Sequence, residues 1–137
     1  MDKTISKKLC LFQHIARLLM GGVMLLAGIG HLTFARVEFQ AQVPQWIPVD
    51  VDQVVILSGF VEILLAILIL TVGHRKTWVP TLIGLFFIAV FPGNWEQYIY
   101  HRDAFGLNTD TLRIARLFFQ PILIFWALWS MDALIKK

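Results

Sequence analysis

The sequence predicts an all-α, polytopic membrane protein built as an antiparallel four-transmembrane-helix bundle. Of its 137 residues, 58% are hydrophobic and only 15% are charged, and the mean hydropathy is +0.70. A soluble domain averages about 45–50% apolar and about 25% charged residues. Four apolar stretches also approach or exceed the roughly 20 residues that a helix needs to cross a bilayer: about 12–34, 54–73, 77–95 and 112–131. Residues 1–137 are expected to form a single transmembrane domain.

The first span follows Lys3, Lys7 and Lys8, an arrangement that also occurs in signal peptides. Arg17 interrupts its apolar run and no small-x-small cleavage site follows, which favours an uncleaved helix. Cys10 is the only cysteine and is expected as an apolar residue at the cytoplasmic end of this helix. A single cysteine excludes an intramolecular disulfide and a Cys-x-x-Cys redox pair.

The second span carries Glu62 near its middle, and a carboxylate in a bilayer needs a partner inside the protein. The third span has Pro80 in its first turn, where proline is tolerated, and Pro92-Gly93 is expected to end it. The short turn between these two spans makes them antiparallel neighbours.

The fourth span contains Pro121, which is expected to kink the helix and free the carbonyl of Leu117. The segment Val43-Pro-Gln-Trp-Ile-Pro48, which lies between the first two spans, is too apolar for an ordinary solvated loop. Its Trp46 and Ile47 are expected to rest in the membrane interface or to cap the bundle.

Lysine and arginine predict the orientation. They cluster before the first span, in the 73–77 turn and at the C-terminus, so both termini are expected in the cytoplasm and the 35–53 and 96–112 loops outside. The net charge of +3 comes from these short clusters, and no nucleic-acid partner is expected.

Three spans carry a stripe of small and polar residues at spacings that place the stripe on one helix face. Small residues let helices approach closely in lipid, and polar residues avoid the acyl chains. Each stripe is therefore expected to face the bundle interior. The stripes are His14, Arg17, Gly21, Met24, Gly28 and His31; then Gly59, Glu62, Ala66 and Gly73; then Arg113, Arg116, Gln120 and Ala127.

Five polar residues in or beside the spans form the candidate ligand-binding site or polar core. They belong to the outer half of the bundle, where they are expected to converge on a pocket open to the outer leaflet or outer face. These residues are His31, Glu62, Asn94, Arg116 and Gln120.

Each of these residues also has a structural explanation. In the structural interpretation, Glu62 pairs with Arg116 or His31 and fixes helix register. In the functional one, it is a proton-accepting carboxylate or a ligand anchor. Asn94 caps backbone groups after Pro92-Gly93, and His31 is a helix-end hydrogen-bonding residue rather than a metal or haem ligand. Arg116 and Gln120 clamp a carbonyl, carboxylate or quinone-like oxygen, or they satisfy Glu62 and the carbonyl that Pro121 frees.

No nucleophile elbow, phosphate loop, dinucleotide fingerprint or His/Cys metal cluster occurs in the sequence. No metal site is expected, the catalytic residues are unknown, and the chain is not expected to be catalytic alone.

Five motifs in order resemble the DoxX-like family of small four-helix membrane proteins over about residues 12–131. The resemblance implies a multi-pass protein of the bacterial cytoplasmic membrane. Members resemble subunits of thiosulfate:quinone or terminal quinol oxidoreductase systems, others are linked to oxidative-stress complexes, and some relatives resemble maturation factors. The motifs are Ala27-Gly-Ile-Gly-His31-Leu-Thr-Phe34, Val43-Pro-Gln-Trp-Ile-Pro48, Leu57-Ser-Gly-Phe-Val-Glu62, Phe91-Pro-Gly-Asn94 and Arg116-Leu-Phe-Phe-Gln120-Pro121.

We therefore expect an accessory or membrane subunit of a quinone-linked redox system, with a quinone as the ligand if one binds. The alternative is an assembly factor or chaperone for another membrane protein. A small-solute transporter is disfavoured because four helices are few for one. The expected partners are the lipid bilayer and either another membrane protein or further copies of the chain. The single Cys10 disfavours a thiol relay.

Overall fold

The computed structural model describes residues 10–131, which form five helices and no strand. Four of the helices are long and apolar enough to cross a membrane, which confirms the predicted fold class. The short second helix, in the first long loop, was not predicted. The helices are α1 (Leu11–Leu32), α2 (Arg36–Gln40), α3 (Val51–Val72), α4 (Trp78–Ile99) and α5 (Asp110–Ser130).

The long helices pack in the order α3, α1, α5, α4. The α1–α3 interface is the most extensive, followed by α4–α5 and α1–α5. Although a short turn joins α3 to α4, these two helices touch least among the long pairs in contact. We call the end of the bundle with residues 33–50 and 100–109 the loop end. The opposite end, where α1 begins and α5 finishes, is the termini end.

Two glycines bring α1 and α3 together near the loop end. A Cβ atom built on Gly28 would lie 3.0 Å from the carbonyl oxygen of Gly59, and one built on Gly59 would lie 3.0 Å from the oxygen of Gly28. In lipid, helices associate through such close packing because the acyl chains are as apolar as the side chains. The predicted small-residue stripes are thus confirmed at this interface.

The predicted interior faces are confirmed for five of the seven polar stripe members. These five are buried, whereas His14 and Arg116 are half-buried. The buried residues are Arg17, His31, Glu62, Arg113 and Gln120. Large apolar side chains cover the outer surfaces of the helices, where they are available to contact the bilayer.

The third span does not end at Pro92-Gly93, so that prediction is wrong. Helix α4 continues to Ile99 with Pro92 inside it. Pro92 removes one backbone donor, which leaves the carbonyl of Ile88 without its helical partner. Next to that carbonyl, the side-chain Nε2 of Gln120 donates to the oxygen of Phe87 at 2.6 Å. Polar contacts from a neighbouring helix allow a proline to be kept inside a membrane helix.

Hydrogen bonds tie the loops together at the loop end. Arg102 Nη1 donates to the carbonyl oxygens of Ala41 (2.9 Å) and Val43 (3.1 Å). Gln42 Nε2 donates to Gln97 Oε1 at 3.0 Å, which attaches the first loop to α4. The segment after α2 therefore packs on the bundle rather than extending away from it.

The apolar segment Val43-Pro-Gln-Trp-Ile-Pro48 lies over this end of the bundle. Val43 and Pro44 are buried, as expected of a capping segment, while Trp46 is 68% exposed. Whether Trp46 rests in the membrane interface stays a prediction.

Candidate functional site

A cavity of about 420 Å³ lies inside the bundle. Its volume falls in the range of about 300–1,000 Å³ that is usual for small-ligand pockets. Glu62 and Arg116 are the charged residues that line it, and Gln42 adds an amide. The remaining walls are apolar, much of them aromatic: Met20, Val23, Met24, Ala27, Phe39, Phe87, Phe105, Leu107, Phe119, Leu123 and Trp126.

Glu62 reaches the cavity from the interior face of α3 and is 8% exposed. Its Oε2 lies 3.3 Å from Nε2 of His31, in the last turn of α1. Gly59, about one helical turn before Glu62, leaves room for His31. A Cβ atom on Gly59 would lie only 2.7 Å from the Cβ of His31 and would push the two helices apart. His31 is thus the polar side chain in contact with Glu62, which selects one of the two partners that the sequence left open.

His31 is held by more than its contact with Glu62. The ring of Phe39 lies 3.5 Å from the imidazole, measured between ring centres. The Nδ1 atom is buried and has no hydrogen-bond partner within residues 10–131. A second cavity of about 160 Å³ is lined by His31 and Gln42 together with residues of the Val43–Pro48 segment.

Arg116 and Gln120 form a second polar group on α5. Arg116 Nη1 donates to Gln120 Oε1 at 2.9 Å, and Asn94 Nδ2 donates to the same oxygen at 3.3 Å. Gln120 is therefore a link between Arg116 and α4. Asn94 is buried inside α4, so the prediction that it caps a helix end is wrong, because α4 does not end there.

The five predicted site residues therefore take different positions. Glu62 and Arg116 line the cavity. His31 contacts Glu62, Gln120 accepts a hydrogen bond from Arg116, and Asn94 donates to Gln120. Within residues 10–131, no ion pair joins Glu62 to Arg116. The sequence also allowed Gln120 to satisfy the carbonyl of Leu117, which Pro121 frees. Gln120 Nε2 instead donates to the carbonyl of Phe87.

The cavity offers two kinds of polar group to a ligand. A guanidinium carries five N–H donors, and Arg116 uses Nη1 for Gln120, so donors remain for an acceptor oxygen. The Glu62 carboxyl group accepts hydrogen bonds when ionised and donates one when protonated. A ligand with oxygen acceptors on an apolar ring matches this arrangement.

Sequence reasoning missed the roof of the cavity. Phe39 of α2 and Phe105 of the second long loop pack edge to face, with ring centres 4.7 Å apart. Leu107 and Gln42 line the cavity beside them. The available signal was the pair Phe105 and Leu107, two apolar residues in the loop that was expected outside the membrane.

A family model described as a domain of unknown function, DUF8561, matches residues 20–131, which include every residue that lines the cavity. No curated protein and no solved structure matches the chain. The resemblance to the DoxX-like family is not tested by these findings and stays a prediction. Because the family model covers most of the 137 residues, the chain belongs to the DUF8561 family.

Proposed function

We propose that this membrane protein binds a quinone or a closely similar ring compound in the Glu62–Arg116 cavity. It does so as an accessory or membrane subunit of a quinone-linked redox system. The observation that supports the proposal most is a carboxyl group and a guanidinium lining one otherwise apolar cavity. Ionisable groups inside a membrane are costly, and in many membrane proteins they mark a ligand or proton pathway.

The chemistry of a quinone suits the cavity walls. Its two carbonyl oxygens lie on opposite sides of a flat ring, and Arg116 donates to one of them while a protonated Glu62 donates to the other. The rings of Phe39, Phe87 and Phe119 provide surfaces for offset or edge-to-face contact with the quinone. Phe119 is already held beside Arg116, whose guanidinium carbon lies 5.8 Å from the ring centre.

The resemblance to the DoxX-like family is the reason for proposing a redox system and a particular cellular membrane. We propose a bacterial cytoplasmic membrane, with both termini in the cytoplasm and the loop end outside. The lysines and arginines support this orientation, because positive charge collects on the cytoplasmic side of membrane proteins. In this orientation the end of the cavity that Gln42 and Phe105 line is on the outer side.

Trp126 provides a reporter for binding because it lines the cavity. With Trp46, Trp78, Trp95 and Trp129 replaced by phenylalanine, Trp126 becomes the only tryptophan. A short-tailed quinone is expected to quench its fluorescence saturably. Glu62→Leu and Arg116→Gln should each raise Kd, because leucine has no donor and glutamine has no charge. The loss is expected to be about fivefold for Glu62→Leu, from a neutral hydrogen bond of about 1 kcal/mol, and about tenfold or more for Arg116→Gln, from a charged one of about 1.5–3 kcal/mol.

Glu38→Gln is the matched control, since Glu38 is exposed on α2 and does not line the cavity. It should leave Kd unchanged, and thermal unfolding of each variant checks that the fold is kept. Quenching that rises linearly with quinone, or equal Kd values in all folded variants, would contradict the proposal. The assembly-factor alternative would then take its place, with a stoichiometric membrane-protein partner as its prediction.

A further inference from the structure

The helices α1 and α5 are fastened to each other at one end of the bundle. Gln13 Nε2 donates to the carbonyl of Trp129 at 2.9 Å, and Trp126 Nε1 donates to the carbonyl of Ala16 at 2.9 Å. Within residues 10–131, the hydrogen bonds between α1 and α5 all lie in this part near the termini end. Toward the loop end, the two helices form opposite walls of the cavity instead.

Two residues of these walls are also exposed on the outer surface. Val23 on α1 is 56% exposed and Phe119 on α5 is 44% exposed, and both line the cavity. The cavity therefore reaches the surface of the protein between α1 and α5. We call this edge, flanked by Val23 and Phe119, the lateral gap.

The depth of the lateral gap decides what it faces. Val23 is within two residues of the midpoint of Leu11–Leu32, and Phe119 is one residue from the midpoint of Asp110–Ser130. At 1.5 Å per residue, both lie within roughly 3 Å of the centre of their helices. The hydrocarbon core is about 30 Å thick, so the gap opens onto acyl chains and not onto water.

The loop end of the cavity differs from the lateral gap in being held by polar contacts, although Phe105 there is also 38% exposed. The Phe39–Phe105 pair forms its roof. Behind the roof, Arg102 binds the carbonyls of Ala41 and Val43, and Gln42 binds Gln97. A ligand arriving from water at this end would have to break several hydrogen bonds, whereas one arriving from lipid passes only apolar side chains.

From this contrast we infer that the ligand enters sideways from the bilayer, between α1 and α5, an inference that rests on the proposed function. The ligand class is then a lipid-dissolved compound with a small ring head and a long hydrocarbon tail. About 420 Å³ accommodates the ring and its substituents, and the tail stays in the lateral gap and the surrounding lipid.

Rates of quinone binding test this route. In the single-Trp126 protein in lipid nanodiscs, stopped-flow quenching by a short-tailed quinone gives the association and release rates. Val23→Phe narrows the gap and should slow both rates by about tenfold with little change in Kd. Such a change lies within the roughly one to three decades over which association rates vary among variants of one site. Phe119→Ala widens the gap and removes a ring that contacts the quinone, so it should raise both rates, the release rate more than the association rate.

Two further variants separate the routes. Arg102→Met removes the hydrogen bonds to Ala41 and Val43 that close the loop end, and Arg102 does not line the cavity. Leu19→Phe adds bulk on the exposed side of α1, away from the cavity. Both variants should keep the wild-type rates. If Arg102→Met speeds association and release while Val23→Phe and Phe119→Ala do not change them, the lateral route is wrong although the proposed function stands.

Tail length provides the second readout. A quinone with a long isoprenoid tail should bind at least as tightly as the short-tailed one when both are present at the same mole fraction in the bilayer. Exclusion of the long-tailed quinone would overturn the lateral route, because an enclosed cavity would have no place for the tail. Absence of saturable quenching by either quinone would instead overturn the proposed function and the route together.

Discussion

Replacing Arg17 with methionine is expected to destabilise the protein by about 3 kcal/mol, because its guanidinium binds the end of another helix. Arg17 Nη1 donates to the carbonyl oxygens of Ile69 at 2.6 Å and Leu70 at 3.2 Å. Both carbonyls belong to the last turn of α3, where no further helical backbone N–H groups follow to pair with the carbonyl oxygens. The positive charge also complements the negative end of the helix dipole. Methionine keeps the apolar stem and removes only these interactions.

Thermal unfolding in mild detergent measures this effect. Arg75→Met is the control, since Arg75 is exposed in the turn after α3. Arg17→Lys should recover part of the lost stability because lysine keeps the charge but has no planar fork of donors. Equal unfolding temperatures for Arg17→Met and Arg75→Met would contradict the capping role of Arg17.

The second large effect is expected for Gly93→Ala, because a backbone oxygen occupies the place of the added methyl group. A Cβ atom on Gly93 would overlap the carbonyl oxygen of Gln42. A backbone carbonyl moves only when its loop moves, so we expect a loss of about 3 kcal/mol, at the upper end of ordinary overpacking. Displacing Gln42 should also weaken quinone binding, since Gln42 lines the cavity.

Gly22→Ala is the matched control for this substitution. A Cβ atom on Gly22, in the middle of α1, meets nothing within 4 Å. Alanine is favoured over glycine in a helix by about 1 kcal/mol, so this variant should be slightly more stable than the wild type. The two alanine variants can be compared by thermal unfolding in the same detergent. If Gly93→Ala is as stable as Gly22→Ala, the close contact between the first loop and α4 at Gly93 is contradicted.

The helices and their interior faces could be predicted from the sequence because both depend on local patterns. Membrane helices need long apolar stretches, and the spacing of small and polar residues identifies the face that avoids lipid. Glu62 was recognisable as a buried polar group for the same reason. Arg17 belonged to the predicted stripe, but its binding to the carbonyls of Ile69 and Leu70 depends on the register between α1 and α3.

The features that sequence reasoning missed depend on contacts between distant residues. The choice of His31 over Arg116 as the partner of Glu62 follows from the close approach of α1 and α3 at Gly59. Helix α4 passes Pro92 although proline is a local breaker, and Gln120 supplies a polar contact to it from α5. No local pattern reports such interhelical contacts.

The measurement that tests the quinone-binding cavity most directly is the small-molecule content of the purified protein. Wild type, Glu62→Leu and the control Glu38→Gln would be purified in mild detergent, checked for folding, extracted and analysed by mass spectrometry. We predict a quinone in near-stoichiometric amount with wild type and Glu38→Gln, and a strongly depleted amount with Glu62→Leu. A folded wild type without quinone, or the same amount in all three proteins, would contradict the account.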